Sequence, residues 1–329
     1  MTLNHQHNVP GHTHGAVDSS LLTTQRGIWA IKLSFLGLLA TALFQFVIFL
    51  LSGSVALLAD TIHNLGDAAT TIPLWIAFRL ARWKPTNRFT HGYGRVEDLA
   101  GVAIVFIILL SAVIAGYESF DRLSLPRTVE YLWAVVVASV IGFLGNEAVA
   151  VFRIKVGKEI GSAALVADGY HARIDGLTSL AVLFGAGGVW LGYPLADPIA
   201  GLIITAVILR ILWESGKAVF TRLLDGVDPE VIEEIKHAVN NTPGVEDVSQ
   251  TRVRWLGHQL HAEINIAVTP ELSVERGHEI AIEVEHRLLH SLRYLSNATI
   301  HVDPANASGE GHHYPKEHER DDLPHHSHK

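Results

Sequence analysis

The sequence contains no cysteine and few charged residues, and each shortage excludes a class of protein. Without cysteine, neither a disulfide framework nor thiolate ligation is available, so any bound metal must rely on His, Asp, Glu or water. Charged residues make up 18% of the chain and hydrophobic residues 49%, a balance that excludes an ordinary soluble protein of 329 residues. The net charge of −8, with no basic block, excludes a nucleic-acid-binding protein. We therefore expect an integral membrane protein.

Six apolar runs are each long enough to cross a bilayer, which takes about 20 residues. They cover residues 29–51, 54–81, 97–118, 130–152, 161–191 and 195–220. Basic residues cluster in the segments 79–95, 153–158 and 217–222, which follow the second, fourth and sixth runs, whereas the opposite loops hold only Arg122 and Arg127. By the positive-inside rule, both termini are predicted to lie in the cytoplasm.

A change of pattern after residue 222 predicts a second, cytoplasmic domain. Residues 228–241 and 273–292 have helical periodicity, the second with Ser273 as its N-cap, while 245–255, 260–268 and 298–302 read as strands. The predicted organisation is a disordered, His-bearing leader (1–27), a six-helix transmembrane domain (28–222), an αββαβ open-faced sandwich of the α+β class (223–304) and a disordered, His-rich tail (305–329). So small a sandwich gains stability by pairing with a second copy of itself.

A motif of the form Ala-Asp-x-x-His-x-x-x-Asp occurs twice within these apolar runs. It appears as Asp60, His63 and Asp67 in the second run and as Asp168, His171 and Asp175 in the fifth. On a helix, His and Asp four residues apart lie about 40° from each other, and the leading Asp falls on the same side. Because a carboxylate is costly in hydrocarbon, two matched polar stripes predict a functional site inside the membrane.

The chemistry of the repeated motif predicts a metal site between the two spans. The expected ligands are His63, Asp67, His171 and Asp175. Two His and two carboxylates suit tetrahedral Zn²⁺ with bonds of about 2.0 to 2.2 Å. Two nearby carboxylates repel in a low dielectric, so protons should occupy the empty site and leave when metal enters. Asp60 and Asp168 lie nearer the span ends, where they would orient the histidines or line the pathway. The alternative is a set of mutually satisfied polar residues that brace a helix bundle.

These features together resemble the cation diffusion facilitator family of metal exporters. The resemblance rests on the six runs, the paired His-x-x-x-Asp, the segment HGYGRVE (91–97) and the αββαβ domain that ends in IHVDP (300–304), and it covers residues 28–304. It implies a homodimer, formed through the cytoplasmic domain and the transmembrane helices, that exports divalent cations, mostly zinc, in exchange for protons by alternating access. We expect such a protein in the lipid bilayer of a bacterial inner membrane.

The resemblance also implies metal ligands in the cytoplasmic domain. His261, His278, His301 and Asp303 match family ligands of a zinc pair at the dimer interface. Ser249 occupies a position often held by His, so one metal rather than two is expected there. The alternative is that these are ordinary surface histidines. The His-rich leader and tail would bind metal loosely near the cytoplasmic entrance.

Two other interpretations concern the cargo and the class of function. Two His and two Asp favour Zn²⁺, while Co²⁺, Ni²⁺ and Fe²⁺ stay open as cargo of the same site. A membrane metalloenzyme would need a general base beside its metal, as in His-Glu-x-x-His, which the spans lack, so we expect no enzyme. A membrane-anchored metal sensor is the second candidate, although it would not need ligands near the bilayer centre.

Overall fold

The computed structural model describes residues 19–52, 55–124, 132–193, 195–292 and 294–308 of the chain. In the second helix, the side chains of several residues, including Asp60 and His63, lie outside what it describes. Within the described residues, six long helices are followed by a small α+β domain. A helix is therefore found at each of the six apolar runs.

The amino-terminal two thirds of the chain form the helical domain. Its helices are α1 (Ser19–Ser52), α2 (Val55–Leu80), α3 (Arg95–Ser124), α4 (Leu132–Ile160), α5 (Ala163–Trp190) and α6 (Ala196–Leu223). Among the described residues, four segments are long and apolar enough to cross a membrane: Thr23–Leu51, Arg95–Asp121, Trp133–Ile160 and Ala196–Leu223. Helices α2 and α5, which carry the repeated motif, are not among these four segments. The six-span count therefore remains a prediction.

Helix α1 begins earlier than the sequence pattern indicates. We expected a disordered leader up to residue 27, yet the helix already starts at Ser19. The reason is tertiary: Thr24 is buried and its hydroxyl lies 2.8 Å from the Nε2 of His258, a residue of the carboxy-terminal domain. Long-range contacts thus order a segment whose composition alone predicts a solvated leader. Residues 1–18 and the tail 309–329 lie outside the described residues.

The carboxy-terminal domain has the αββαβ order that the sequence predicts. Its elements are α7 (Pro229–Asn240), β1 (Asp247–Leu256), β2 (Gln259–Val268), α8 (Val274–Ser291) and β3 (Leu295–Pro304). The strands lie in the order β1-β2-β3, with the first pair antiparallel and the second parallel. Ser273 caps α8 by accepting a hydrogen bond from the Arg276 amide, as predicted. Apolar side chains of both helices and the sheet form one core.

Candidate metal centre

Three potential metal ligands from α2 and α5 meet inside the helical domain. Asp67 lies on α2, and His171 and Asp175 lie one turn apart on α5. Each residue offers a ligand atom within 4.8 Å of the other two. The Nε2 of His171 lies 3.8 Å from a carboxylate oxygen of Asp67, and its Nδ1 lies 3.8 Å from one of Asp175. All three residues are buried. The structure therefore brings together three of the four predicted transport ligands.

The spacing of these atoms is somewhat wider than a bound tetrahedral metal requires. Bonds of about 2.0 to 2.2 Å place tetrahedral ligand atoms roughly 3.3 to 3.6 Å apart. The two 3.8 Å distances start from different nitrogens of the His171 ring, and a single metal would use only one of them. One ligand atom from each residue lies within 4.8 Å of the others, so a metal would draw these atoms together by about 1 Å. Two carboxylates beside one imidazole also carry net negative charge in either state of the ring, which favours a cation. His63, the fourth predicted ligand, lies one turn before Asp67, but its side chain is outside the described set, as is that of Asp60.

The leading aspartate of the second motif has a different environment. Asp168 forms a buried ion pair with Arg153 of α4, with 3.0 Å between a guanidinium nitrogen and the carboxylate. The side chains are 0% and 1% exposed. The sequence pattern placed Arg153 in a cytoplasmic loop after a span ending at residue 152, whereas α4 continues to Ile160. The missed signal was that a carboxylate in an apolar helix needs a partner, and a nearby arginine is the natural one.

A second ion pair joins the same two helices. Arg173 of α5 donates through Nε and Nη2 to the two carboxylate oxygens of Glu147 on α4, at 3.1 and 2.7 Å. On a helix, Arg173 lies about 200° from His171, so the pair faces away from the metal ligands. Together with Arg153 and Asp168, it fixes α5 against α4. Helix α5 packs chiefly on α4 and meets α2 over a short stretch only.

The four predicted ligands of the carboxy-terminal domain do not all meet. The Nε2 of His301 lies 2.9 Å from a carboxylate oxygen of Asp303. In the β2–β3 ladder, however, His301 pairs with Asn265, while His261 pairs with Asn297. Four residues of strand separate the two histidines by about 13 Å. His261 and His301 therefore do not share a site within one chain.

The other two members of this set are placed differently. The ring of His261 lies 3.2 Å from the Ser296 hydroxyl. Burial lowers the pKa of His261, and the charges of Arg254 and His91 act in the same direction, so the ring stays neutral near pH 7. His278 lies exposed in the first half of α8. A joint site for all four residues would need a second chain.

Comparison with known proteins decides the family. Residues 31–224 match the model of the cation efflux transmembrane domain, and residues 227–305 match that of the cation efflux protein cytoplasmic domain. The chain belongs to the cation efflux family. The predicted membership of the cation diffusion facilitators is thereby confirmed. This cation efflux protein is an integral membrane transporter of divalent metal cations, not an enzyme, and its α+β domain is the cytoplasmic domain of the family.

The relatives of this cation efflux protein span bacteria and plants. A probable cation efflux system protein of Mycobacterium tuberculosis is 53% identical over 297 residues, which cover 89% of this chain and 90% of that protein. Magnetosome protein MamB of Magnetospirillum gryphiswaldense is 28% identical over 81% of this chain and 90% of its own length. Metal tolerance protein 2 of Oryza sativa is 27% identical over 77% of this chain and 72% of its own length. The bacterial likeness makes this an integral bacterial membrane protein.

Proposed function

We propose that this cation efflux protein is a proton-coupled antiporter that exports Zn²⁺ from the cytoplasm. The observation that supports this most is the convergence of Asp67, His171 and Asp175 from two helices at one buried position. In this proposal all six long helices cross the membrane, both termini are cytoplasmic, and the site faces the two sides of the membrane in turn. Zn²⁺ is the cargo because nitrogen and carboxylate ligands in equal number suit its tetrahedral preference.

The transport site is proposed to consist of His63, Asp67, His171 and Asp175. His63 completes the set because it precedes Asp67 by one helical turn, as His171 precedes Asp175. Two carboxylates balance the double charge of the metal, which lowers the cost of holding it away from water. Co²⁺, Ni²⁺ and Fe²⁺ have overlapping ligand preferences and are the competing cargoes.

Proton coupling follows from the charge of the same cluster. When the metal leaves, Asp67 and Asp175 stay on either side of the His171 ring in a poorly solvated site. Their repulsion favours the uptake of protons, and an incoming metal displaces them. An exchange of a divalent cation for protons thus keeps the buried charge nearly constant in both directions of the cycle.

The cytoplasmic domain is proposed to pair two chains and to bind zinc at their interface. His301 and Asp303 form the nucleus of this second site because their side chains already touch. His261 and His278 are candidates for ligands that the dimer adds, since one chain does not bring them to His301. Contacts between the helical domains would complete the homodimer.

Stopped-flow flux in proteoliposomes tests the proposal. Purified protein is reconstituted with a zinc indicator inside, and Zn²⁺ uptake is recorded with and without an imposed pH gradient. We expect uptake that accelerates when the vesicle interior is acidic and slows when a protonophore collapses the gradient. Zn²⁺ movement indifferent to the gradient would defeat the antiport proposal, and no movement of any divalent cation would favour a metal sensor. Parallel runs with Co²⁺, Ni²⁺ and Fe²⁺ rank the cargoes.

A further inference from the structure

A single side chain of the cytoplasmic domain contacts three helices of the helical domain. The Nδ1 of His258 lies 2.6 Å from a carboxylate oxygen of Glu97 on α3, and its Nε2 lies 2.8 Å from the hydroxyl of Thr24 on α1. The ring stacks on Phe78 of α2, with ring centroids 5.3 Å apart and planes 23° from parallel. The side chains of His258 and Glu97 are each 1% exposed. Both nitrogens and one face of the imidazole are thus engaged.

The chain around His258 is shaped for this close approach. His258 belongs to the hairpin turn (Leu256–His258) that joins β1 to β2. A Cβ atom at Gly94 would lie 2.8 Å from the Leu256 carbonyl oxygen, so any larger residue there would push the turn away. Gly257 adopts a φ of +63°, and its amide donates to a carboxylate oxygen of Asp98 at 3.2 Å. The end of the HGYGRVE segment therefore forms a socket for the hairpin turn.

Other contacts anchor the cytoplasmic domain beside this socket. Arg95 donates to the carbonyl oxygens of Arg222 and Leu223, at 3.2 and 3.5 Å, and forms an ion pair with Asp225. The Arg222 guanidinium lies 4.1 Å from the ring centre of Trp255. These contacts connect α3 and α6 to β1 and to the segment 224–228 between α6 and α7. His258 adds α1 and α2 to the same assembly.

The connection to α2 matters because α2 carries a metal ligand. Phe78 follows Asp67 by 11 residues on one helix, a distance of about 16 Å. Pro73 lies between these two residues and α2 continues through it, so a shift at Phe78 changes the position of Asp67 relative to His171 on α5 either directly or by bending α2 at Pro73. The contacts of His258 thus act on the geometry of the metal centre from its cytoplasmic side.

We propose that His258 is a positioning residue for metal transport, which holds the cytoplasmic ends of α1, α2 and α3 together. Opening these helices to the cytoplasm requires its imidazole to leave Glu97, Thr24 and Phe78. A movement of the cytoplasmic domain that withdraws the hairpin turn therefore permits the opening. The link to transport rests on the function proposed above, whereas the holding of the three helices does not.

The absence of cysteine makes a labelling test direct, because one introduced cysteine is the only thiol in the chain. Ala77→Cys places a reporter next to Phe78 at a residue that is 0% exposed, and Ala262→Cys places a second in the core of the cytoplasmic domain at 2%. Each is combined with His258→Phe, which keeps a ring but loses both hydrogen bonds. The matched control is His237→Phe on the exposed face of α7.

We expect His258→Phe to raise maleimide labelling of the Ala77→Cys reporter by about tenfold or more, because a buried hydrogen bond to a charged group is lost. The Ala262→Cys reporter should stay protected, and His237→Phe should change neither. Unchanged labelling at position 77 would overturn the proposal. An equal rise at position 262 would also overturn it, since it would indicate general unfolding of the protein.

Transport kinetics give a second, independent readout. His258→Phe should lower kcat by about tenfold with KM nearly unchanged, because one of the alternating states loses its contacts while the metal ligands stay intact. Glu97→Gln should act in the same direction, and the double variant should be no worse than the more severe single one. A lower Tm with normal kcat would reduce His258 to a structural residue. If the wild-type protein moves no cation, the proposed transport function is wrong. The labelling experiment then still tests whether His258 holds the three helices together.

Discussion

Helix α5 buries two aspartates two turns apart, and the protein treats them differently. Asp168 receives a permanent cation, because the guanidinium of Arg153 lies 3.0 Å away. Asp175 faces the imidazole of His171, which carries charge only when protonated, and Asp67 lies on the other side of that ring. A carboxylate with its own arginine needs no further cation, while two carboxylates around one imidazole favour a metal or protons. Two aspartates of one motif therefore lie in very different charge environments.

The largest effect in this comparison is expected when Asp175, a candidate metal ligand, is replaced by asparagine. Asp175→Asn removes one negative charge and a good metal ligand with almost no change in volume. We expect zinc flux in proteoliposomes to fall by at least about 100-fold, because even the loss of a residue that only orients a ligand costs about 10- to 100-fold. The Tm should hold or rise, since one of two repelling carboxylates is gone. Flux near that of the wild type would sink the assignment of Asp175 as a ligand.

The same substitution at Asp168, two turns earlier on α5, should lower stability, which is the opposite of the effect expected at Asp175. It leaves the buried guanidinium of Arg153 without its counter-charge, which destabilises a protein by about 3 to 5 kcal/mol. Thermal unfolding in detergent, followed by circular dichroism, measures the loss. The double variant Arg153→Met/Asp168→Asn removes both charges and should recover most of the stability together with zinc transport. If the stability losses of Arg153→Met and Asp168→Asn simply add in the double variant, the two residues are not energetically coupled. If the double variant is stable but does not transport zinc, Asp168 does more than pair with Arg153.

Local chemistry explains which parts of this structure the sequence could predict. The αββαβ order and the cap at Ser273 depend on residues within one turn or one strand, so their patterns are visible in the sequence. The candidate ligands Asp67, His171 and Asp175 could be proposed from the sequence because the motif repeats, and the structure brings the three together. By contrast, the pairing of Glu97 with His258 joins residues 161 positions apart, and nothing near either of them specifies the other. The early start of α1 is accompanied by a second contact of His258, with Thr24, which is even more distant in sequence, so composition alone could not show it.

The pair between Arg173 and Glu147 offers an intermediate case for the comparison. Its side chains are 32% and 30% exposed, whereas the α4–α5 packing fully buries those of Asp168 and Arg153. Glu147→Gln should therefore cost less unfolding free energy than Asp168→Asn, because the Arg173 guanidinium is not enclosed by the helices when its partner is lost. Zinc flux should stay within a few fold of the wild type because Arg173 faces away from the ligands. A loss as large as that of Asp168→Asn would show that exposure does not govern these pairs.

The weakest effect is expected for Glu283 on α8, the most exposed of these carboxylates paired with arginine. Glu283 accepts a hydrogen bond from the Nε of Arg287 at 2.6 Å, and this bond lowers the pKa of the carboxyl group. Because the folded pKa lies below the unfolded one, the contribution to stability is present above the unfolded pKa and disappears as the pH falls through the folded value. Glu283→Gln should thus shift the Tm slightly or not at all at neutral pH, and the difference from wild type should vanish in acid. A clear loss of stability at pH 7, comparable to that of Glu147→Gln, would mean that burial is not what separates Asp168 from the other carboxylates paired with arginine.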